Sequence, residues 1–201
     1  MEQGPRVTTQ RHFLIAPSLA RLIQRERGTA GRITEGHFPS APDRRLLVRV
    51  EQERSALILL APGEDGQFTE EQAEVPLSHA EALMDAAAGV IAFDRTALSL
   101  GGDIEALLDR FILLEGLDIL TVTIPRNPHA FAPLPWFGLE VTDEPGFGTR
   151  DLALGGTPRI EPMEPSDAAL NALLNALDGH TPYRLRTSDQ TLGEEKQIGP
   201  V

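Results

Sequence analysis

The residues best suited to chemistry are polar side chains spaced two apart in two short segments. Thr8, Gln10 and His12 lie in "TTQRHFL", and Thr121 and Thr123 lie in "DILTVTI". Alternate residues of a β-strand point to one face, so each set shares one side of its strand. Mg²⁺ prefers carboxylate and phosphate oxygens, and neutral hydroxyl and amide oxygens alone hold it poorly. These segments therefore predict a polar surface without a preformed magnesium site.

Basic residues in neighbouring segments offer a second kind of chemistry, the binding of an anion. Arg11, His12, Arg49 and Arg95 are the basic residues for which a family resemblance, described below, implies contact with a nucleotide or a polyphosphate. Arginine neutralises phosphate oxygens and forms paired hydrogen bonds with them. The sequence contains neither a serine nucleophile elbow nor a Walker A loop. No catalytic residue is therefore predicted.

Short strands and a few helices must position these residues. Alternation predicts most of the strands, and helical spacing predicts helices at 17–28 and 78–89. The segment 104–111 fits both patterns, and its apolar residues at 104, 107, 108 and 111 favour a helix. Many short strands with few helices indicate an antiparallel α+β domain. A closed barrel with helices outside and a sandwich both remain open.

Composition and charge exclude several classes of protein. The chain has 201 residues, of which 41% are hydrophobic and 24% charged, as in an ordinary globular protein. Its net charge of −12 opposes binding to nucleic acids and to anionic membranes. The absence of cysteine excludes disulfides and zinc–thiolate sites. Because no apolar signal or membrane-spanning segment is present, we expect a soluble, cytoplasmic protein.

A separate C-terminal region is predicted after residue 154. Residues 155–165 form a proline-rich linker, residues 166–179 an amphipathic helix capped by Ser166, and residues 180–201 a disordered tail. Leucines between 170 and 177 make one stripe of the helix. The stripe either covers an opening of the preceding domain or docks on an unknown protein partner. That partner would have a basic surface or be a second copy of the chain.

The segment "PWFGLEVTDEPGFGTRDLAL" resembles the tail of the CYTH family, the triphosphate tunnel metalloenzymes. The matching residues are Pro135, Trp136, Gly138, Glu140, Val141, Thr142, Pro145, Phe147, Leu152 and Ala153. The likeness runs in register over residues 8–154, which we therefore predict to be one CYTH-like domain. The family includes inorganic triphosphatases, thiamine triphosphatases and class IV adenylate cyclases. It implies an α+β fold with an eight-stranded antiparallel β-barrel and flanking helices, whose tunnel holds a triphosphate and divalent metal ions.

The resemblance fails at the residues on which the family's chemistry depends. The family's Glu-x-Glu-x-Lys motif corresponds to Thr8, Gln10 and His12, and a later Glu-x-Glu pair corresponds to Thr121 and Thr123. All of the acidic positions are thus degenerate metal positions. They either pack a narrowed interior or form a repurposed site, and we favour packing. Three of the expected basic positions are also apolar here, namely Leu47, Leu60 and Phe93.

These losses determine the function that the sequence predicts. In-line attack by water needs a metal ion or acidic groups to position it. We therefore expect a catalytically inactive CYTH-like protein without a cofactor, acting as an interaction scaffold or as a metal-independent ligand-binding module. The alternative is an active or residual triphosphatase or nucleotide-polyphosphate-binding enzyme of the family, or an adenylate cyclase, dependent on Mg²⁺ or Mn²⁺.

Overall fold

A computed structural model describes residues 8–39, 44–63, 68–101, 104–125, 131–156 and 158–179. Within these ranges the chain forms strands and helices in this order: β1 (Thr8–Leu14), α1 (Pro17–Arg27), β2 (Gly31–His37), β3 (Arg45–Glu51), β4 (Arg54–Pro62), β5 (Phe68–Glu74), α2 (Leu77–Asp85), β6 (Gly89–Ser99), β7 (Glu105–Phe111), β8 (Asp118–Pro125), α3 (Thr149–Gly155) and α4 (Asp167–Leu177). None of the described helices has the length and apolar character needed to span a membrane. The predicted tail at 180–201 lies outside the described residues.

The strands form one antiparallel sheet of eight strands in the order β1-β8-β7-β6-β2-β3-β4-β5. The predicted eight-stranded antiparallel sheet with flanking helices is therefore present. The edge strands β1 and β5 do not pair with each other within the described residues, so closure into a barrel is not confirmed. The free edge of β1 is instead lined by residues 138–141. The amide of Leu14 donates to the carbonyl oxygen of Leu139 at 2.9 Å, and the amide of Val141 to that of His12 at 2.8 Å.

The ambiguous segment at 104–111 is a strand, and the helix favoured by its spacing is wrong. It becomes β7, which pairs with β6 on one side and with β8 on the other. A central strand satisfies its backbone groups on both edges, and this tertiary pairing overrides a weak local preference. Alternation then separates buried Ala106 and Leu108 from Leu107 and Asp109 on the opposite face.

One face of the sheet is covered by α1, α2 and α4, and we call it the helix face. Phe13, Leu120 and Val122 pack there in one buried cluster with Ile23 of α1 and Leu173 of α4. Helix α4 begins after Ser166, whose hydroxyl oxygen accepts from the amide of Ala169, as the predicted N-cap requires. Part of the leucine stripe thus covers the sheet, whereas Leu170 and Leu174 remain exposed. Docking of a protein partner on α4 stays a prediction.

The opposite face, which we call the polar face, is partly filled by apolar side chains. Ile33, Phe93 and Ile119 pack there with Val141 and Leu152. Leu152 belongs to α3, which lies against β2 and β6. The end of the face nearest α3 is therefore closed by a hydrophobic cluster. Its other end carries half-buried or exposed polar residues.

Gly89 is a position at which α3 approaches the sheet closely. A Cβ atom at Gly89 would overlap the carbonyl oxygen of Ala153 and lie 2.7 Å from its carbonyl carbon. Because backbone must move to make room, Gly89→Ala should destabilise the protein by about 1–3 kcal/mol. The matched control is Gly155→Ala, since nothing lies within 4 Å of a Cβ there. Thermal unfolding measures both variants, and equal Tm values would contradict the close packing of α3.

Candidate functional site

The polar face brings together most of the predicted site residues. The strand register places Gln10 and His12 opposite Thr123 and Thr121. It also places Arg95 of β6 opposite Asp109 of β7. Arg49 of β3 lies opposite Glu35 of β2. Thr8 begins β1, but its side chain lies outside the described part of the chain.

Arg95 and Asp109 form a two-pronged ion pair across neighbouring strands. Arg95 Nε and Nη2 each donate to one carboxylate oxygen of Asp109, and both distances are 2.7 Å. The carboxylate is buried, whereas 28% of the Arg95 side chain is exposed. Burial raises the pKa of Asp109 above its ordinary value, although Arg95 opposes this rise. The pair therefore holds the guanidinium in one orientation, and the remaining N–H donors are not used by Asp109.

Glu35 lies at the centre of a second, more extensive network. Its Oε1 atom accepts from Arg49 Nε at 2.9 Å, and its Oε2 atom lies 3.1 Å from His37 Nε2. Thr149 of α3 adds a further hydrogen bond. Burial alone would raise the pKa of Glu35, but His37, Arg49 and Thr149 together lower it to about 2. This carboxylate is therefore ionised and fixes the direction of Arg49.

The two ion pairs act on each other electrostatically. Burial alone would lower the pKa of Arg95, but hydrogen bonding to Asp109 and the charges of Asp109, Glu35 and Glu51 raise it above its ordinary value. Asp109 in turn responds to the charges of both Glu35 and Arg49. The four side chains of the two pairs thus form one charged unit in the middle of the polar face.

A cavity of about 410 Å³ opens beside Arg49. Its charged lining consists of Arg49 and Arg54 together with Glu51, Glu53 and Glu74. Ligand-binding cavities commonly fall in the range of about 300–1,000 Å³, so the volume is adequate for a small ligand. Two guanidinium groups in its wall provide sites for an anionic end of such a ligand.

His12 lies on the polar face in β1, at the end of the strand order opposite to β4 and β5. Its Nδ1 atom lies 3.0 Å from the hydroxyl oxygen of Thr121, and its backbone amide donates to Thr142 Oγ1 at 3.1 Å. Burial lowers the pKa of His12 below its ordinary value, while Asp109 and Asp143 partly offset this effect. The imidazole is therefore half-buried, held by a hydroxyl group and neutral at pH 7.

Arg11 lies away from the other predicted ligand-binding residues. It alternates with Gln10 and His12 in β1, so its side chain points to the helix face. Arg11 Nε donates to Glu140 Oε1 at 2.7 Å, and its guanidinium lies 5.2 Å from the ring centroids of both Phe13 and Phe131. Hydrogen bonding to Arg11 also lowers the pKa of Glu140 to about 2. The expected grouping of Arg11 with Arg49 and Arg95 is therefore corrected, because strand alternation separates them.

The residues at the degenerate metal positions do not fit a divalent metal ion. Gln10, Thr121 and Thr123 offer only neutral oxygens, which bind Mg²⁺ weakly. The nearby carboxylates of Glu35 and Asp109 are already bonded to arginine. Among the described residues, no group of three or more acidic or histidine side chains is arranged to hold a metal ion.

Sequence reasoning missed the network of Glu35, His37 and Thr149. The alternation in "EGH" places Glu35 and His37 on one strand face, and this was the available signal. Their separation from Arg49 and Thr149 in sequence concealed the network. The three apolar residues at expected basic positions do pack: Leu47 and Phe93 are buried, and Leu60 is half-buried.

Comparison with known proteins identifies the fold. No family model matches the chain, and no curated protein matches it. The crystal structure of the inorganic triphosphatase NE1496 matches with a TM-score of 0.58 and 20% identity, over 76% of this chain and 97% of that one. A second crystal structure of NE1496, described as a hypothetical protein, matches with a TM-score of 0.56 and 22% identity, over 74% of this chain and 98% of that one. At this identity the likeness shows the fold, which is that of the triphosphate tunnel enzymes, as the sequence resemblance predicts.

The comparison also corrects the expectation that this protein is not an enzyme. That expectation rested on the neutral residues at the acidic positions. A protein that shares the fold over 97% of its own length is named an inorganic triphosphatase, and this finding contradicts the expectation. The loss of family ligands therefore does not justify a prediction of inactivity.

Proposed function

We propose that this protein is a phosphohydrolase that acts on a triphosphate-type polyanion, either tripolyphosphate or a nucleoside triphosphate. The observation that carries the proposal is the pair of arginines held by carboxylates in the middle of the polar face. Arg95 and Arg49 are each fixed by a buried acid, Asp109 and Glu35, and each stays partly exposed. Guanidinium groups held in this way need little reorganisation when an anion arrives.

The chemistry of phosphoryl transfer suits such a site. The transferred group passes through a transition state whose charge spreads over its outer oxygens, so positioning and neutralisation supply most of the catalysis. Arg49 also lines the cavity that contains Arg54, which adds a second guanidinium group beyond the central unit, beside three glutamates. The solved structure of an inorganic triphosphatase with the same fold supports this choice of substrate class.

The proposal includes low dependence on divalent metal ions. Thr8, Gln10, Thr121 and Thr123 replace the carboxylates that the resemblance predicts at these positions, and neutral oxygens are poor ligands for Mg²⁺ or Mn²⁺. In this proposal the substrate phosphates are held by hydrogen bonds from arginine rather than by a resident cation. Any metal that assists would arrive bound to the substrate phosphates.

Phosphate release from tripolyphosphate and from ATP tests the function directly. We expect release that rises with protein concentration and persists in EDTA, with little gain from added Mg²⁺ or Mn²⁺. Calorimetry in the same buffers measures binding separately from turnover. Binding without release would contradict hydrolysis, and neither binding nor release under any of these conditions would contradict the whole proposal.

A further inference from the structure

This inference rests on the proposed hydrolysis, in which a water molecule must lose a proton as it attacks the substrate. His12 lies on the polar face with one imidazole nitrogen suited to accept that proton. Its Nδ1 atom is hydrogen-bonded to Thr121, and within the described residues no partner is found for Nε2. The bond partner of one imidazole nitrogen determines which nitrogen carries the proton. When Nδ1–H donates to the threonine oxygen, Nε2 presents a lone pair that can accept a proton.

His12 of β1 shares the polar face with the anion-binding unit, two strands away from Asp109. Asp109 lies on β7, between the β8 strand that holds Thr121 and the β6 strand that holds Arg95. The charge of Asp109 acts on His12, while its carboxylate oxygens are bonded to Arg95. A phosphate group bound at Arg95 therefore lies on the same side of the sheet as the imidazole.

We propose that His12 is the general base of the hydrolysis, accepting a proton at Nε2 from the attacking water, and that Thr121 positions its ring through Nδ1. The water oxygen forms a bond to the terminal phosphorus as the bond from that phosphorus to the bridging oxygen breaks. The electron pair stays on the departing diphosphate or nucleoside diphosphate. The proton taken by His12 then passes to solvent, which restores the base.

This role also accounts for the threonine at position 121. The resemblance implies a carboxylate there, which would serve a metal ion. A hydroxyl group is a poor metal ligand, but it is a sufficient partner for an imidazole nitrogen. A carboxylate at position 121 would hold a metal ion, whereas the threonine there holds His12. Thr123, two residues further along the same face, has no such bond to a histidine among the residues that the structure describes.

The charged groups around His12 determine how the rate should depend on pH. Asp109 from β7 and Asp143 from the segment after Val141 raise its pKa, and burial, the larger effect, lowers it. Arg11 and Glu140 pair with each other on the helix face. The net result is a pKa below the ordinary 6.5. A base must be unprotonated to act, so the rate should rise with pH through a midpoint below 6.5 and then level off.

The experiment compares the full chain with three variants on tripolyphosphate in EDTA. His12→Gln should retain binding by calorimetry, lose about 10²–10⁴-fold in kcat and lose the acidic limb of the pH profile. Thr121→Val should lose about 10–100-fold in kcat, and Thr121→Ser, which keeps a hydroxyl, should recover most of it. Thr123→Val is the matched control and should behave like the unmodified protein.

The outcomes separate this inference from the proposed function. If the unmodified protein releases no phosphate, the function itself is overturned, and the inference falls with it. If it is active and His12→Gln keeps the same kcat and pH profile, the function stands and the base is another group. If Thr121→Val and Thr123→Val have the same kcat, the positioning role of Thr121 is wrong.

Discussion

Arg95→Ala is expected to abolish measurable hydrolysis of tripolyphosphate and to lower the stability of the protein. In the proposed function this guanidinium binds the substrate phosphate, and loss of an arginine that stabilises a transferring phosphoryl group reduces kcat by about 10³-fold or more. The same change leaves the buried carboxylate of Asp109 without its partner. Removing one member of a buried pair costs about 3 kcal/mol, or roughly 6–12 °C in Tm for a chain of this size. Phosphate release and thermal unfolding measure the two effects.

A second substitution separates catalysis from folding. Asp109→Asn, added to Arg95→Ala, removes the buried charge that the single variant leaves unpaired. The double variant should therefore recover part of the lost stability, because a neutral amide is less costly to bury than a carboxylate. Its hydrolysis should remain absent. Recovery of activity together with stability would show that Arg95 acts only on the fold.

The chain contains a matched control for this pair. Arg32 and Asp94 also face each other across β2 and β6, with Arg32 Nε and Asp94 Oδ1 3.0 Å apart. They alternate with Ile33 and Phe93 of the polar face and so lie on the other side of the sheet. Exposed pairs of this kind contribute little to stability. Arg32→Ala should thus leave both activity and Tm close to those of the unmodified protein.

Glu35→Gln is expected to produce a loss of stability as large as that of Arg95→Ala. The carboxylate accepts from Arg49, His37 and Thr149. An amide cannot accept from all three and places its own donors against theirs. A pKa lowered from 4.5 to about 2 corresponds to about 3 kcal/mol of stability at pH 7. Denaturant unfolding at pH 7 should show a loss of this order.

The same interaction predicts how stability depends on pH. A group whose pKa is lowered by folding stabilises the native state at pH values above its unfolded pKa. For Glu35 the contribution is complete above 4.5 and disappears as the pH falls through about 2. The difference between the unmodified protein and Glu35→Gln should therefore be constant near neutrality and shrink across this interval. A difference that stays constant down to pH 2 would contradict the ionised network.

Glu140 is the appropriate comparison for Glu35. Its pKa is also lowered to about 2, through Arg11 and Thr142, but its side chain is 38% exposed. Solvent screens such a pair, so its contribution to stability is small. Glu140→Gln should have little effect on unfolding at pH 7. Large and equal effects at both positions would show that burial is not what makes the Glu35 network strong.

Short stretches of sequence determined much of the local structure. Alternation placed Gln10 and His12 on one face of β1, and it placed Thr121 and Thr123 on one face of β8. Strand pairing then brought these two faces to the same side of the sheet. Ser166 marked the start of α4. These features depend on residues within a few positions of each other, so their physical causes are all contained in one short segment. The dense tail motif likewise indicated the fold that the comparison shows.

Only the tertiary structure decided which charges meet. Arg95 and Asp109 are 14 positions apart, as are Arg49 and Glu35, and Arg11 and Glu140 are 129 apart. Pairing on both edges made β7 a strand, and the packing of residues 138–141 beside β1 brought Glu140 to Arg11. The sequence by itself determined the residue types, the strand faces and the missing carboxylates. The sheet decided which arginines are held by buried carboxylates, because an ion pair depends on distance and burial, and both arise only when distant segments pack together.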